Sequence, residues 1–202
     1  MKDEKTYHHG DLRAALLVAA EAELIESGIE GFSLRKVARR AGVSHAAPAH
    51  HFGDVSGLLT ALAAVGFRRL VELADRRAAD AGPGTRDRLL AYGLAYCDFA
   101  REHLALFRLC FASQKPAGTD PDLVHWGTLA FDRLHAAVVA LRGPVAEPGP
   151  VAEMADTYAV WAATHGLADL LATGRMRALA DLPPRTRDAQ IVALLSRMMP
   201  EG

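Results

Sequence analysis

Apolar residues recur at spacings of three and four along almost the whole chain, the period of amphipathic helices, and no stretch alternates as a half-buried strand would. Leu17, Ala20 and Leu24 mark the inward face of a first helix that opens at Gly10 or Asp11 and closes at Gly28. Ser33 is placed to cap a short second helix, Leu34 to Arg40, with Leu34, Val37 and Ala38 facing in. Gly42 breaks that helix, and Ser44 is expected to cap a third that runs to about His51. Asp54 opens a long fourth helix through Leu58, Leu59, Leu62, Val65 and Leu70, stopped by Ala81-Gly82-Pro83-Gly84. Further helices are expected over 85–102 and 104–113, and another from Asp120-Pro121 to about Arg142. After a loop from Gly143 to Pro150 come helices from Val151 to Thr173 and from Pro184 to about Met199. The pattern predicts an all-α fold of about nine helices.

Within it, Ser33 to Phe52 has the arithmetic of a helix-turn-helix. Two short helices that cross closely need a small residue at the contact, which Ala38 supplies, and the turn needs a position tolerant of positive φ, which Gly42 supplies. Val43 then plugs the turn, leaving the following helix free to enter a major groove.

Charge sharpens this reading. The 202-residue chain has a formal net charge of −1, which excludes a globally basic, histone-like protein. Yet from Ser33 to Gly53 it carries Arg35, Lys36, Arg39 and Arg40 and no acid, beside an acidic flank of Glu21, Glu23, Glu26 and Glu30. A local basic island suggests one local anionic partner.

The remaining chemistry is mostly exclusion. No apolar run approaches the ~18 residues of a membrane span, and the polar start from Met1 to Gly10 is unlike a signal peptide, so a cytoplasmic protein is expected. Cys97 and Cys110 are read as buried thiols. The nine histidines lie in adjacent pairs or scattered over several helices, without ligand spacing, so no metal and no cofactor are expected. No nucleophile elbow, Walker loop or dinucleotide fingerprint appears, which leaves an enzyme without residues to stand on.

The run from Gly10 to Leu59, above all SLRKVARRAGVSHAAP and the following HF, closely resembles the DNA-binding domain of the tetracycline-repressor (TetR) family. The likeness extends over roughly Tyr7 to Ala63, and WAATHG, Trp161 to Gly166, resembles the Trp-x-x-x-His-Gly signature of one subgroup. The resemblance implies a DNA-binding domain over 7–57 and a helical ligand-binding and dimerisation domain over 58–202. It implies phosphate contacts from Ser33 and Arg35, base-facing positions at Ser44, His45, Ala46 and Ala47, and backbone anchors at His50 and His51. It also implies a ligand pocket, for which Phe99, Phe107, Trp126, Tyr158 and Trp161 are the candidates, suited to a lipophilic or aromatic effector. The implied protein is a homodimeric repressor of a palindromic operator, paired through its last two long helices, with Leu194 and Leu195 at the interface. The sequence departs from the family pattern at two places: Ala49 stands where a tyrosine is usual, and Val55 where a lysine is usual. Both absences remove phosphate contacts, so a ligand-binding dimer with weak or lost operator affinity is the alternative.

Overall fold

A computed structural model describes the backbone of residues 9–143 and 150–199. The expected loop from Gly143 to Pro150 lies largely outside them. Ten helices form among the described residues, with no strand: α1 (His9–Ser27), α2 (Leu34–Ala41), α3 (Ala47–Phe52), α4 (Val55–Ala79), α5 (Thr85–Glu102), α6 (Leu104–Ala112), α7 (Pro121–Arg142), α8 (Pro150–Ala172), α9 (Arg177–Ala180) and α10 (Pro184–Met198). The all-α class is as expected. The additional helix is α9, a single turn too short to show a periodic pattern.

Helix ends follow local chemistry. Gly28 and Gly42 take a positive φ of 68° directly after α1 and α2, and Gly174, at 71°, follows α8 one residue later, a conformation that other residues rarely adopt. The Asp54 carboxylate accepts from the Gly57 N–H at 2.8 Å and that of Asp120 from the Leu123 N–H at 2.9 Å, closing the starts of α4 and α7. Ser33 sits at the α2 N-cap in extended conformation, but its side chain makes no capping bond. Ser44 does not cap α3. Its carbonyl accepts from the Ala47 N–H at 3.1 Å in a turn, and the helix begins at Ala47, with Pro48 in the first turn, where a missing N–H costs nothing.

The chain divides into two compact units. The first reaches Gly66 and takes in Ala105–Val124; Leu16, Ala20, Leu24, Val37, Ala38, Leu58, Leu59, Leu62, Leu106, Phe107 and Leu109 are its buried residues. On α1 the fully buried leucine of the first turns is Leu16, with Leu17 half-buried, one position from the expected stripe. The second unit holds Phe67–Leu104 and the chain from His125 onward. There α5 packs along α8, and α10 lies against α5. Gly93 permits that approach: a Cβ there would fall 2.7 Å from Leu195 Cδ1. Leu195 is therefore a core residue of this unit, and only Leu194 of the expected interface pair is partly exposed. No described helix is long and apolar enough to cross a membrane.

Candidate nucleic-acid interface

Helices α1, α2 and α3 pack together, α2 against both of the others. Val37 and Ala38 are fully buried, so α2 turns its polar sides away from the core. Gly42, left-handed, closes α2, and the Val43 N–H reaches the Ala38 carbonyl at 3.1 Å, which sets the sharp turn toward α3.

The basic island splits into two pairs. Lys36 and Arg40, one turn apart, are engaged by α1: Lys36 Nζ lies 3.3 Å from Glu23 Oε1 and donates to Ser27 Oγ at 2.9 Å. Arg40 Nη2 lies 3.5 Å from Glu23 Oε2 and also pairs with Glu26. Glu23 is only 2% exposed and accepts a further bond of 2.6 Å from the Ser27 hydroxyl. Burial would raise its carboxyl, but Ser27, Lys36 and Arg40 outweigh burial and hold it below the ordinary value. Arg35 and Arg39, also one turn apart, are exposed and form no ion pair among the described residues. Half of the local positive charge is thus neutralised inside the unit, which composition alone does not reveal.

Ser44, His45, Ala46, Ala49 and His50 are exposed, while Ser33, Ala47 and His51 are half-buried. The His50 and His51 rings meet edge to face at 5.6 Å, and the Arg13 guanidinium carbon from α1 lies 5.2 Å from the centre of the Phe52 ring. In the same unit the segment after α6 is fastened to α4. Ser56 Oγ donates to the Lys115 carbonyl at 2.7 Å, and the Ala117 N–H donates to Thr60 Oγ1 at 2.8 Å.

The aromatic candidates distribute unevenly. Tyr158 and Trp161 both meet the Phe131 ring, at 6.1 and 6.0 Å between centres. Phe131 also stacks on His135, whose Nδ1 is 2.9 Å from the buried Thr157 hydroxyl. Trp126 is half-buried against His125, Phe99 is fully buried beside His103, and Phe107 belongs to the first unit, where its ring meets Phe111. In the second unit Trp161 Nε1 donates to the Tyr96 hydroxyl at 3.3 Å, and that hydroxyl is 2.8 Å from His165 Nδ1. Trp161 and His165, one turn apart on α8, therefore converge on a single buried tyrosine of α5. Arg77 ties α4, α5 and α10 together, with Nε 3.0 Å from Asp98 and Nη1 2.9 Å from Asp188.

Comparison with known proteins decides what carries this surface. Residues 16–62 match the model for bacterial regulatory proteins of the tetR family, and residues 89–195 match the tetracyclin repressor-like C-terminal domain. The chain belongs to the TetR family of transcriptional regulators.

Among TetR-like relatives, the HTH-type transcriptional regulator BetI of Burkholderia mallei (strain NCTC 10229) is 31% identical over 128 residues, 63% of this chain and 66% of that protein. A solved protein of unknown function from Rhodococcus sp. RHA1 is 35% identical, with a TM-score of 0.76 over 96% of this chain and 97% of its own. The TetR-family regulator PfmR of Thermus thermophilus shares the fold at 18% identity, with a TM-score of 0.63 over 92% and 97%. Tyr96 escaped sequence reasoning, although a Trp and a His one turn apart on a buried helix face already require a polar partner from another helix. Among the described residues no cluster of three or more potential metal ligands occurs.

Proposed function

We propose that this TetR-family regulator is a ligand-responsive repressor that binds a palindromic operator as a homodimer. A small lipophilic or aromatic molecule held by the C-terminal helices releases it from DNA. The observation that carries the reading is the exposed surface of α2 and α3. Arg35 and Arg39 keep their charge there, Ser44, His45 and His50 are open to solvent, and no carboxylate occurs between Ser33 and Gly53. Ser33 and Arg35 contact phosphate, Ser44, His45, Ala46 and Ala47 face base edges, and His50 and His51 anchor the backbone. We assign DNA binding to residues 7–57 and sensing and dimerisation to 58–202. Dimerisation is supported by apolar side chains left exposed on α8 and α10: Leu170 and Met198 at 41% and 37%. A two-fold dimer sets its reading helices ~34–36 Å apart, successive turns of the duplex. Within the second unit Phe99, Trp126, Tyr158 and Trp161 remain the proposed ligand contacts, with Phe131 joining Tyr158 and Trp161.

Fluorescence anisotropy with duplexes from the DNA flanking its own gene tests the reading. Tight binding to one palindromic fragment, weakened by an aromatic effector and absent on a scrambled fragment, is the expected outcome; equal affinity for both fragments refutes it. The second reading, a ligand-binding dimer with little operator affinity, is favoured by two observations. Ala49 and Val55 have no donor or charge, and Glu23 and Glu26 already engage Lys36 and Arg40. It predicts an effector-induced change in tryptophan fluorescence with no fragment preferred.

A further inference from the structure

We propose that Arg13, on the first helix and outside the helix-turn-helix itself, is a DNA-phosphate contact of this protein and supplies beside α3 the positive charge that the start of α4 lacks. The inference rests on the operator-binding reading above. Four exposed arginines of the first unit, Arg13, Arg35, Arg39 and Arg108, form no ion pair among the described residues, whereas Lys36, Arg40 and Lys115 are each engaged by a glutamate. Arg13 differs from the other three in being held. Its guanidinium carbon lies 5.2 Å from the centre of the Phe52 ring, and Phe52 is the last residue of α3. A ring face steadies a guanidinium without neutralising it, and the planar N–H edges stay available for a phosphate oxygen. An ion pair with a carboxylate, such as that of Arg40 with Glu26, would cancel the charge and occupy those edges.

The neighbourhood makes that charge matter. Residues 49 to 57, Ala-His-His-Phe-Gly-Asp-Val-Ser-Gly, contain no lysine or arginine, and the exposed Asp54 carboxylate accepts from the Gly57 N–H at 2.8 Å. The stretch that follows the reading helix therefore brings no permanent cation of its own. Arg13 places one there from a different element, against Phe52, which precedes Val55 by three residues in the sequence. The Phe52 ring is thus the fixture that holds an arginine of α1 against the last residue of α3.

Salt-dependent binding of the full-length protein to its operator fragment tests this. Arg13→Met removes the charge while leaving an apolar chain on the Phe52 ring, and Arg13→Lys keeps the charge. With one phosphate neutralised per protomer, Arg13→Met should flatten the log–log salt slope of the dimer by about 1.8, roughly 0.9 for each counterion-releasing contact. Arg13→Lys should keep the slope. Adding Val55→Lys to Arg13→Met should restore it, by supplying a cation three residues beyond the ring. Arg88→Gln, an exposed arginine of α5, is the control and should bind as wild type. A wild-type slope in Arg13→Met overturns the assignment and leaves Arg13 as a packing residue only. A wild-type protein with no salt-dependent preference for any fragment refutes the operator reading instead, and the two failures are told apart by the wild-type titration.

Discussion

Replacing Glu23 with glutamine should lower stability and raise DNA affinity at the same time. Glu23 is 2% exposed and holds three donors: the Ser27 hydroxyl at 2.6 Å, Lys36 Nζ at 3.3 Å and Arg40 Nη2 at 3.5 Å. A hydrogen bond to a buried charged acceptor contributes ~1.5–3 kcal/mol. The two cations remain 44% and 36% exposed, so solvent screens them and each pair adds little to the Ser27 bond. Glutamine keeps the shape and is cheaper to bury, which offsets part of the loss, and the net cost is about 2 kcal/mol. For a chain of this size that lowers Tm by roughly 4–8 °C. The pH dependence has a definite sign. The folded carboxyl lies below its ordinary value, so its contribution is complete above the unfolded value of about 4.3 and fades as pH falls through the folded one. The gap between wild type and Glu23→Gln should therefore be full at neutral pH and close in acid below the ordinary carboxyl range. Meanwhile Lys36 and Arg40 lose their internal anion, and operator affinity at low salt should rise a few-fold. Urea melts at several pH values, paired with anisotropy titrations, measure both effects. A variant within about 0.5 kcal/mol of wild type at pH 7, or a gap that persists unchanged in acid, refutes the reasoning.

Other outcomes follow from the same geometry. Leu170→Glu with Met198→Glu should convert a sedimenting dimer to a folded monomer, whereas Leu195→Glu should unfold the protomer because Leu195 packs on Gly93; a persistent dimer in the first variant would place the interface elsewhere. Tyr96→Phe removes the hydroxyl that Trp161 and His165 share, and should cost about 1–3 kcal/mol and shift Trp161 emission; unchanged stability and emission would show that the bonds carry no weight. Burial and the nearby Asp98 and Asp188 push the Cys97 thiol up to about 12, so a thiol reagent at neutral pH should label Cys110 first. Mass spectrometry of the native protein finding Cys97 modified first would contradict that order.

Where local chemistry dictates structure, the sequence was readable. Gly28, Gly42 and Gly174 ended their helices because glycine adopts the left-handed conformation without strain, and Asp54 and Asp120 opened theirs by reaching backbone donors. Ser44 misled because a serine before a helical run resembles a cap, while Pro48 two residues past Ala46 sets the actual start. The charge pattern misled more deeply: Glu23 lies among acids that look like a solvated flank, and only the crossing of α1 and α2 shows it facing Lys36 and Arg40. Partners distant in sequence, such as Tyr96 for His165 and Gly93 for Leu195, are set by how helices pack, which periodicity on a single helix does not encode.

The first unit is assembled from two stretches of chain, with Leu106, Phe107 and Leu109 among its buried residues and Ala117 and Lys115 bonded to Thr60 and Ser56. A nascent chain that has emerged only as far as Gly66 lacks the Lys115 and Ala117 partners of Ser56 and Thr60, so this unit is complete only once residue 124 has been synthesised. The same arrangement constrains chimeras. Grafting these first 66 residues onto a foreign sensor would strip Ser56 and Thr60 of their Lys115 and Ala117 partners, and a transplant that carries residues 105–124 as well keeps them.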